Sequence, residues 1–83
     1  MIPIVEAEHF SWSGNKGTIF SAELEHLLGC ERFKLPKRFD VNGKNFIVTF
    51  EYMGSEKRDG DICAFFFKSV NHHKEIELIV YND

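Results

Sequence analysis

Histidines and cysteines are the residues of this sequence whose chemistry could hold a metal ion. His26 and Cys30 are four positions apart, and His72 and His73 are adjacent. Zinc in proteins takes three or four nitrogen, sulfur or oxygen ligands, so the end of the helix would have to meet the turn that holds His72 and His73. Gly29 is predicted to end a helix between His26 and Cys30, and the spacing of the set matches no zinc motif. We therefore expect neither a metal site nor a cofactor.

Nucleophilic catalysis would require Cys30 or Cys63 beside a histidine. Cys63 lies early in a predicted strand, where a thiol is more often packed than reactive. The 13 acidic residues form no recognisable catalytic pair, and "SGNKG" lacks the complete pattern of a phosphate-binding loop. The sequence therefore predicts a protein that is not an enzyme.

The segment "SAELEHLLG" has the pattern of an amphipathic helix. Ser21 is a suitable N-cap, because its hydroxyl can accept from an unpaired backbone N–H of the first turn, and Gly29 is a typical C-terminal stop. Phe20 joins the apolar face from just before the cap; the face itself consists of Leu24, Leu27 and Leu28. A helix of about two turns is too short to be stable alone, so we expect it to lie on a sheet.

The strands on either side of this helix are bounded by turn residues. Ile4–His9 is expected to form an edge strand, followed by a loop in "SGNKGT". The Asn42-Gly43 pair is typical of a type I′ hairpin turn, which would place Phe39 opposite Phe46.

The last two apolar segments, "ICAFFFKSV" and "EIELIVYN", are predicted to form a second hairpin. If core residues pair with core residues, Val70 lies opposite Lys74 or Ile76. Asn71, His72 and His73 then lie in the turn, where asparagine and histidine tolerate the backbone angles required.

Together these elements predict an α+β fold in one domain that spans residues 1–83. The expected order is β-α-β-β-β-β, with one short helix packed on a four- to five-stranded antiparallel meander. A small half-open barrel is the alternative if the N-terminal strand closes the sheet.

Alternation along the strands assigns each side chain to one of two faces. The predicted core face is nearly all apolar and consists of Phe39, Val41, Phe46, Val48, Phe50, Tyr52, Ile62, Ala64, Phe66, Val70, Ile76, Leu78 and Val80. Lys68 is the exception on this face. The predicted second face is half apolar and includes Arg38, Asp40, Ile47, Thr49, Glu51, Cys63, Phe65, Phe67, Glu77, Ile79 and Tyr81. An open antiparallel sheet should be polar on its solvent side, so this face needs cover.

Exposed aromatic patches usually mark an interface, so we hypothesise that the second face binds a partner. The cover could come from the N-terminal strand with Phe10 and Trp12, from a second copy of the chain, or from another partner. We predict a small non-catalytic protein-binding or self-associating module, with a homodimer as one form. The predicted partner-binding residues are Phe65, Phe67, Ile79, Tyr81, Ile47, Arg38 and Trp12.

The net charge of −3 and a pI of about 5.8 argue against a duplex-DNA protein, which relies on many basic phosphate contacts. One alternative is binding of single-stranded nucleic acid by the aromatics Phe65, Phe67 and Tyr81. A second alternative, without support from any residue, is a small inhibitor or accessory protein from a mobile element. No apolar run approaches the roughly 20 residues of a membrane span, and two cysteines suit a reducing compartment, so the expected location is cytoplasmic.

Overall fold

The computed structural model describes residues 2–70 and 72–81. Within these residues the chain forms helix α1 (Ser21–Leu28), a 3₁₀ turn (Ala7–His9) and seven strands: β1 (Ile4–Glu6), β2 (Ser11–Ser13), β3 (Lys16–Phe20), β4 (Arg38–Asn42), β5 (Ile47–Lys57), β6 (Ile62–Ser69) and β7 (Glu75–Tyr81). The predicted α+β class is confirmed. The sheet has more strands than expected, because the predicted loop "SGNKGT" contains the ends of β2 and β3 and only the short turn between them. No helix in the described residues is long and apolar enough to cross a membrane.

The strands form one mixed sheet in the order β1-β4-β5-β6-β7-β3-β2. Its centre, β4 to β7, is the antiparallel meander that the sequence predicts. Two parallel pairs, β1 with β4 and β3 with β7, extend the meander on its two sides. These pairs join strands that are distant in sequence, so no turn residue marks them.

The sheet curls because its two edge strands are neighbours in the chain. Strands β1 and β2 lie at opposite ends of the sheet, yet only residues 7–10 connect them. A flat sheet of this size would separate its edges by about 29 Å, at about 4.8 Å per strand. The connecting residues span at most about 18 Å even when fully extended. The result is a half-barrel, in agreement with the half-open barrel named above as an alternative.

Helix α1 lies on the inner side of the curl, where it contacts β1, β3 and β7. Leu24 is fully buried against the sheet, and Gly29 ends the helix in the left-handed conformation, with φ of 68°. Both features are as predicted. The start of the helix differs: Phe20 occupies the N-cap position and Ser21 is the first helical residue. Phe20 is also 50% exposed, so the prediction that it joins the helix leucines is wrong.

The β4–β5 hairpin keeps its predicted faces but not its predicted turn. Phe39 lies opposite Phe50, and the Gly43 N–H donates to the Phe46 carbonyl oxygen over 2.7 Å. The predicted two-residue turn at Asn42-Gly43 and the pairing of Phe39 with Phe46 are therefore wrong. The partner of Phe39 moves by an even number of residues, so the core face is unchanged. Phe39 and Phe50 are both fully buried.

A β-bulge in β5 shifts the register between β5 and β6. Tyr52 lies opposite Phe67, whereas Gly54 lies opposite Phe66, so Met53 is the extra residue on β5. A bulge of this kind leaves one residue unpaired and increases the local bend of the strand. It supports the curl of the sheet at its longest strand.

Strand β6 faces the opposite way from its prediction. Phe65 lies opposite Leu78 and Phe67 opposite Ile76, so both aromatic side chains are on the core face. Phe67 is only 3% exposed. The placement of Phe66 in the core and of Phe65 and Phe67 on the second face is therefore wrong.

The β6–β7 turn contains both C-terminal histidines, as predicted, and His72 and His73 are exposed. Lys68 lies opposite Glu75, and the Ser69 N–H donates to the Lys74 carbonyl oxygen over 3.0 Å. Neither predicted pairing of Val70 is therefore formed. Asn71, the third residue predicted in this turn, lies outside the described residues.

Candidate functional site

An apolar patch covers the outer side of the sheet, away from helix α1, on the adjacent strands β6, β7 and β3. The cross-strand register forms it: Ile62 lies opposite Tyr81, Ala64 opposite Ile79, and Ile79 beside Phe20. We call this surface the outer patch and define it as Phe20, Ile62, Phe66, Ile79 and Tyr81; Ala64 lies on the same side but is fully buried and adds no exposed area.

The most exposed part of the outer patch is an aromatic pair. The rings of Phe20 and Tyr81 stack with centroids 5.6 Å apart and an interplanar angle of 28°. Each residue still exposes about half of its surface, 50% for Phe20 and 51% for Tyr81. Ile79 beside them is half-buried. Apolar area therefore remains exposed at this end of the sheet.

The other end of the outer patch is bounded by paired charges. Glu77, whose side chain is only 7% exposed, is paired with Arg58 and, over 3.2 Å, with Lys16. The Arg58 guanidinium also lies over the ring of Phe66, 5.8 Å from its centroid. A buried carboxylate without such partners would be costly, so the two cations keep Glu77 in place. The charges that flank the patch are thus neutralised within the chain.

The predicted partner-binding residues do not form one surface. Ile79 and Tyr81 lie in the outer patch, whereas Phe65 and Phe67 lie on the inner face. Ile47 is 65% exposed, but it begins β5, seven positions before the Gly54 that lies opposite Phe66. At about 3.3 Å per residue, about 23 Å of strand separates it from the patch.

Arg38 and Trp12 have contacts within the fold. Arg38 is paired with Glu51, its cross-strand neighbour on the outer side of β4 and β5. Trp12 packs on the core and donates its indole N–H to the Ala7 carbonyl oxygen over 2.9 Å. Trp12 faces inward, as does the buried Phe10, so these two residues do not cover the outer patch.

A second candidate site is a pocket of about 250 Å³ on the inner side of the curl. Helix α1, the connection after it and strands β5 to β7 enclose this space. We call it the inner pocket; its sheet side is formed by Tyr52, Phe65, Phe67, Leu78 and Val80, and its other walls include Ser21, Glu25, Phe33, Leu35, Pro36 and Lys37. The lining is mostly apolar, with an acid from the helix.

Glu25 holds the connecting segment against the helix. One of its carboxylate oxygens accepts from the Phe33 backbone N–H over 2.6 Å. Phe33 has a φ of 63°, in the left-handed region that side-chain-bearing residues rarely adopt. Glu25 itself is only 8% exposed, although a solvent-facing position is usual for glutamate. The buried acid thus fixes one wall of the inner pocket.

The sequence reasoning missed residues in both sites. The outward position of Phe66 could be predicted from the sequence. Lys68 is two positions later and therefore on the same side of the strand, and a lysine is rarely buried in a core. Phe20 required knowledge of the parallel β3–β7 pair. Glu25 and Phe33 belong together only through a contact between helix and connection, which no periodicity reveals.

The part of the chain that is described contains no cluster of side chains suited to metal binding. No three histidine, cysteine, aspartate or glutamate side chains there are grouped so that they could hold a metal ion. Cys30 and Cys63 are free and half-buried. His26, which the metal hypothesis would pair with Cys30, is exposed on the helix.

Comparisons with protein-family models, with curated proteins and with solved structures find no match for this chain.

Proposed function

We propose that this chain is a non-catalytic binding module that self-associates through the outer patch. The observation that supports the proposal is the stacked pair of Phe20 and Tyr81, two large aromatic residues that are each half exposed beside Ile79. Aromatic residues are enriched at the buried centres of interfaces, where they contribute most of the binding energy. Contact with a partner would remove the remaining apolar surface from water.

A second copy of the chain is the partner that the charges favour. The acid beside the patch, Glu77, is already neutralised by Lys16 and Arg58, and Lys68 lies 3.9 Å from Glu75. Among the described residues beside the patch, these ion pairs leave no excess of one sign that would select an oppositely charged partner. A neutral apolar surface is complementary to itself, and a two-fold dimer places the same patch on both sides of the interface.

The size of the outer patch indicates a weak dimer. A standard stable interface contains about 20–30 residues on each side, far more than the outer patch. The patch can supply the centre of an interface, while the surrounding polar residues add contacts of small energy. We expect a dissociation constant of about 10 µM to 1 mM.

Two tyrosines provide a matched test of this proposal. Tyr81 in the outer patch and Tyr52 in the inner pocket are 51% and 42% exposed, but on opposite faces of the sheet. Tyr81→Ser should weaken self-association by about tenfold or more, the loss expected when an interface anchor is removed. Tyr52→Ser should leave it within about twofold, because a residue outside the interface contributes little. Sedimentation equilibrium of both variants and of the unchanged chain measures the three constants.

Two outcomes would contradict the proposal. Equal weakening by both substitutions would mean that stability, rather than the outer patch, controls association. A monomer at all concentrations would leave the patch to a different protein. The nucleic-acid alternative has less support, because Phe65 and Phe67 lie on the opposite face from Tyr81 and cannot form one stacking platform with it.

A further inference from the structure

The inner pocket is a cleft that opens to the surface, because Phe33 and Tyr52 in its lining are 57% and 42% exposed. Here about 250 Å³ remains open between helix α1 and the sheet. The volume lies just below the range of about 300–1,000 Å³ that is typical of pockets for drug-sized ligands. It would hold a smaller molecule, of about one ring and a short chain.

Aromatic rings form one side of this pocket in a fixed arrangement. The Tyr52 ring lies 5.7 Å from the Phe67 ring at an angle of 67°, and 6.2 Å from the Phe65 ring at 54°. Rings tilted in this way present both faces and edges to the space beside them. The face of an aromatic ring attracts cations, and such walls are used to bind organic ammonium groups.

Glu25 determines the sign of charge inside the pocket. It is only 8% exposed and lines the space together with the aromatic rings. Lys37 also lines the pocket, but it is exposed at the surface, where water and salt screen its charge. The field of the buried carboxylate is screened much less. A positively charged ligand is therefore favoured over a neutral or negative one.

The wall opposite the sheet contains a strained backbone position. Phe33 adopts a φ of 63° while its N–H donates to Glu25. A side-chain-bearing residue in this region of backbone space is strained, and such strain is concentrated at ligand sites. Since one Glu25 oxygen accepts this bond, the same carboxylate can fix the wall and also face the ligand.

We propose that the inner pocket binds a small organic ammonium ion, a single ring or short apolar chain that carries a protonated amine. The apolar part contacts Phe65, Phe67 and Leu78, and the ammonium group lies between Glu25 and Tyr52. The site is independent of the self-association proposed above, because the outer patch is on the other face of the sheet.

Three probes of the same size and different charge test this inference. The probes are 2-phenylethylammonium, the neutral 2-phenylethanol and the anionic phenylacetate, each titrated into the ¹⁵N-labelled chain at neutral pH. The expected result is a dissociation constant of about 1 mM or lower for the ammonium probe. The other two probes should bind at least about fivefold more weakly, in line with a single charge contact. The shifted amide signals should include those of Glu25 and Phe33.

A charge-only variant separates the carboxylate from the shape of the pocket. In Glu25→Gln the amide oxygen can still accept from the Phe33 N–H, so the wall keeps its support. The variant should lose the preference for the ammonium probe and keep its affinity for 2-phenylethanol. The inference is overturned if no probe binds at 10 mM, an amount about tenfold above the expected constant. It is also overturned if phenylacetate binds best, or if all three probes bind the unchanged chain equally.

Discussion

A glycine is required at position 43 for a different reason from the one that the Asn42-Gly43 pair suggests. Beside Asn42 it is typical of a turn that needs positive φ, but Gly43 is not among the positive-φ residues of the described chain. A Cβ atom added at Gly43 would overlap the Phe46 ring. The glycine therefore provides space for an aromatic ring that packs against the core.

The two explanations of Gly43 predict different results for a double substitution. Gly43→Ala should destabilise the chain by about 1–3 kcal/mol, because overpacking forces the ring or the backbone to move. In a Phe46→Ala background the same substitution should cost less than about 0.5 kcal/mol. Urea unfolding of the four chains measures the coupling. If the loss at Gly43 is the same in both backgrounds, the turn needs a glycine backbone and the steric explanation is wrong.

At the scale of elements, the pairing of β6 with β7 and with the part of β5 before the bulge decides the orientation of the whole "AFFFK" segment. With the observed register, Phe67 is buried in the core and Phe66 is half-buried on the outer side under Arg58. The charged neighbour of Phe67, Lys68, then reaches solvent. One residue of register separates this arrangement from its inverse.

A pair of alanine substitutions tests the orientation of β6. Phe67→Ala should cost about 3–5 kcal/mol in the free energy of unfolding, as expected for a fully buried phenylalanine. Phe66→Ala should cost no more than about half as much, because its ring is only partly removed from water. The measurement is urea unfolding followed by far-UV circular dichroism. A larger loss at Phe66 than at Phe67 would restore the inverse orientation and remove Phe66 from the outer patch.

Much of the fold follows from local sequence patterns. Caps and alternation are local, so they predict the end of helix α1 at Gly29 and the meander of β4 to β7. They also predict the core residues Phe39, Phe50 and Leu78. The parallel pairs were not, since they join distant strands without a turn.

The candidate sites were less predictable than the fold. Of the outer patch, Ile79 and Tyr81 could be assigned from alternation in β7. Phe66 was misplaced because the bulge and the loop before β6 hide the register of that strand, and Lys68, the one local sign that this side faces outward, was treated as an exception. The inner pocket depends on how helix α1 and the connection after it meet the curled sheet, and no sequence period encodes that contact.

At the scale of the whole molecule, the curl places the edge strand β2, through Trp12, near the β4–β5 turn. Its ring packs over Gly17, where an added Cβ atom would lie 2.8 Å away, and Lys74 lies 5.5 Å above the ring. Lys74 also lies 4.8 Å from the Phe46 ring, on the far side of the opening. A lysine between two aromatic rings thus connects β2 with the β4–β5 turn.

Because Trp12 is the only tryptophan, its fluorescence reports on this closure. If the edges are part of one cooperative unit, urea unfolding followed by Trp12 emission and by far-UV circular dichroism should give the same midpoint. Lys74→Met, which keeps the apolar stem and removes the charge, should lower both midpoints together by a small amount, from the loss of about 0.5–1 kcal/mol. An earlier transition in the Trp12 signal alone would mean that β2 separates before the rest of the sheet.

On the outer side of the same sheet, the fold leaves Phe20 and Tyr81 half exposed while it neutralises the charges beside them. The proposal is specific: the chain self-associates through this surface and not through a sheet edge or the inner pocket. It predicts which amides respond when the concentration of the chain changes.

The most direct measurement is a dilution series of ¹⁵N-labelled chain followed by amide spectra, from about 1 mM to about 10 µM, the range in which a weak dimer dissociates. We expect concentration-dependent shifts at Phe20, Ile79 and Tyr81 and at their neighbours on β3, β6 and β7, with those of Glu25 and Phe33 unchanged. Spectra that do not change over this range, or shifts confined to the edge strand β1 or to the inner pocket, would contradict self-association through the outer patch.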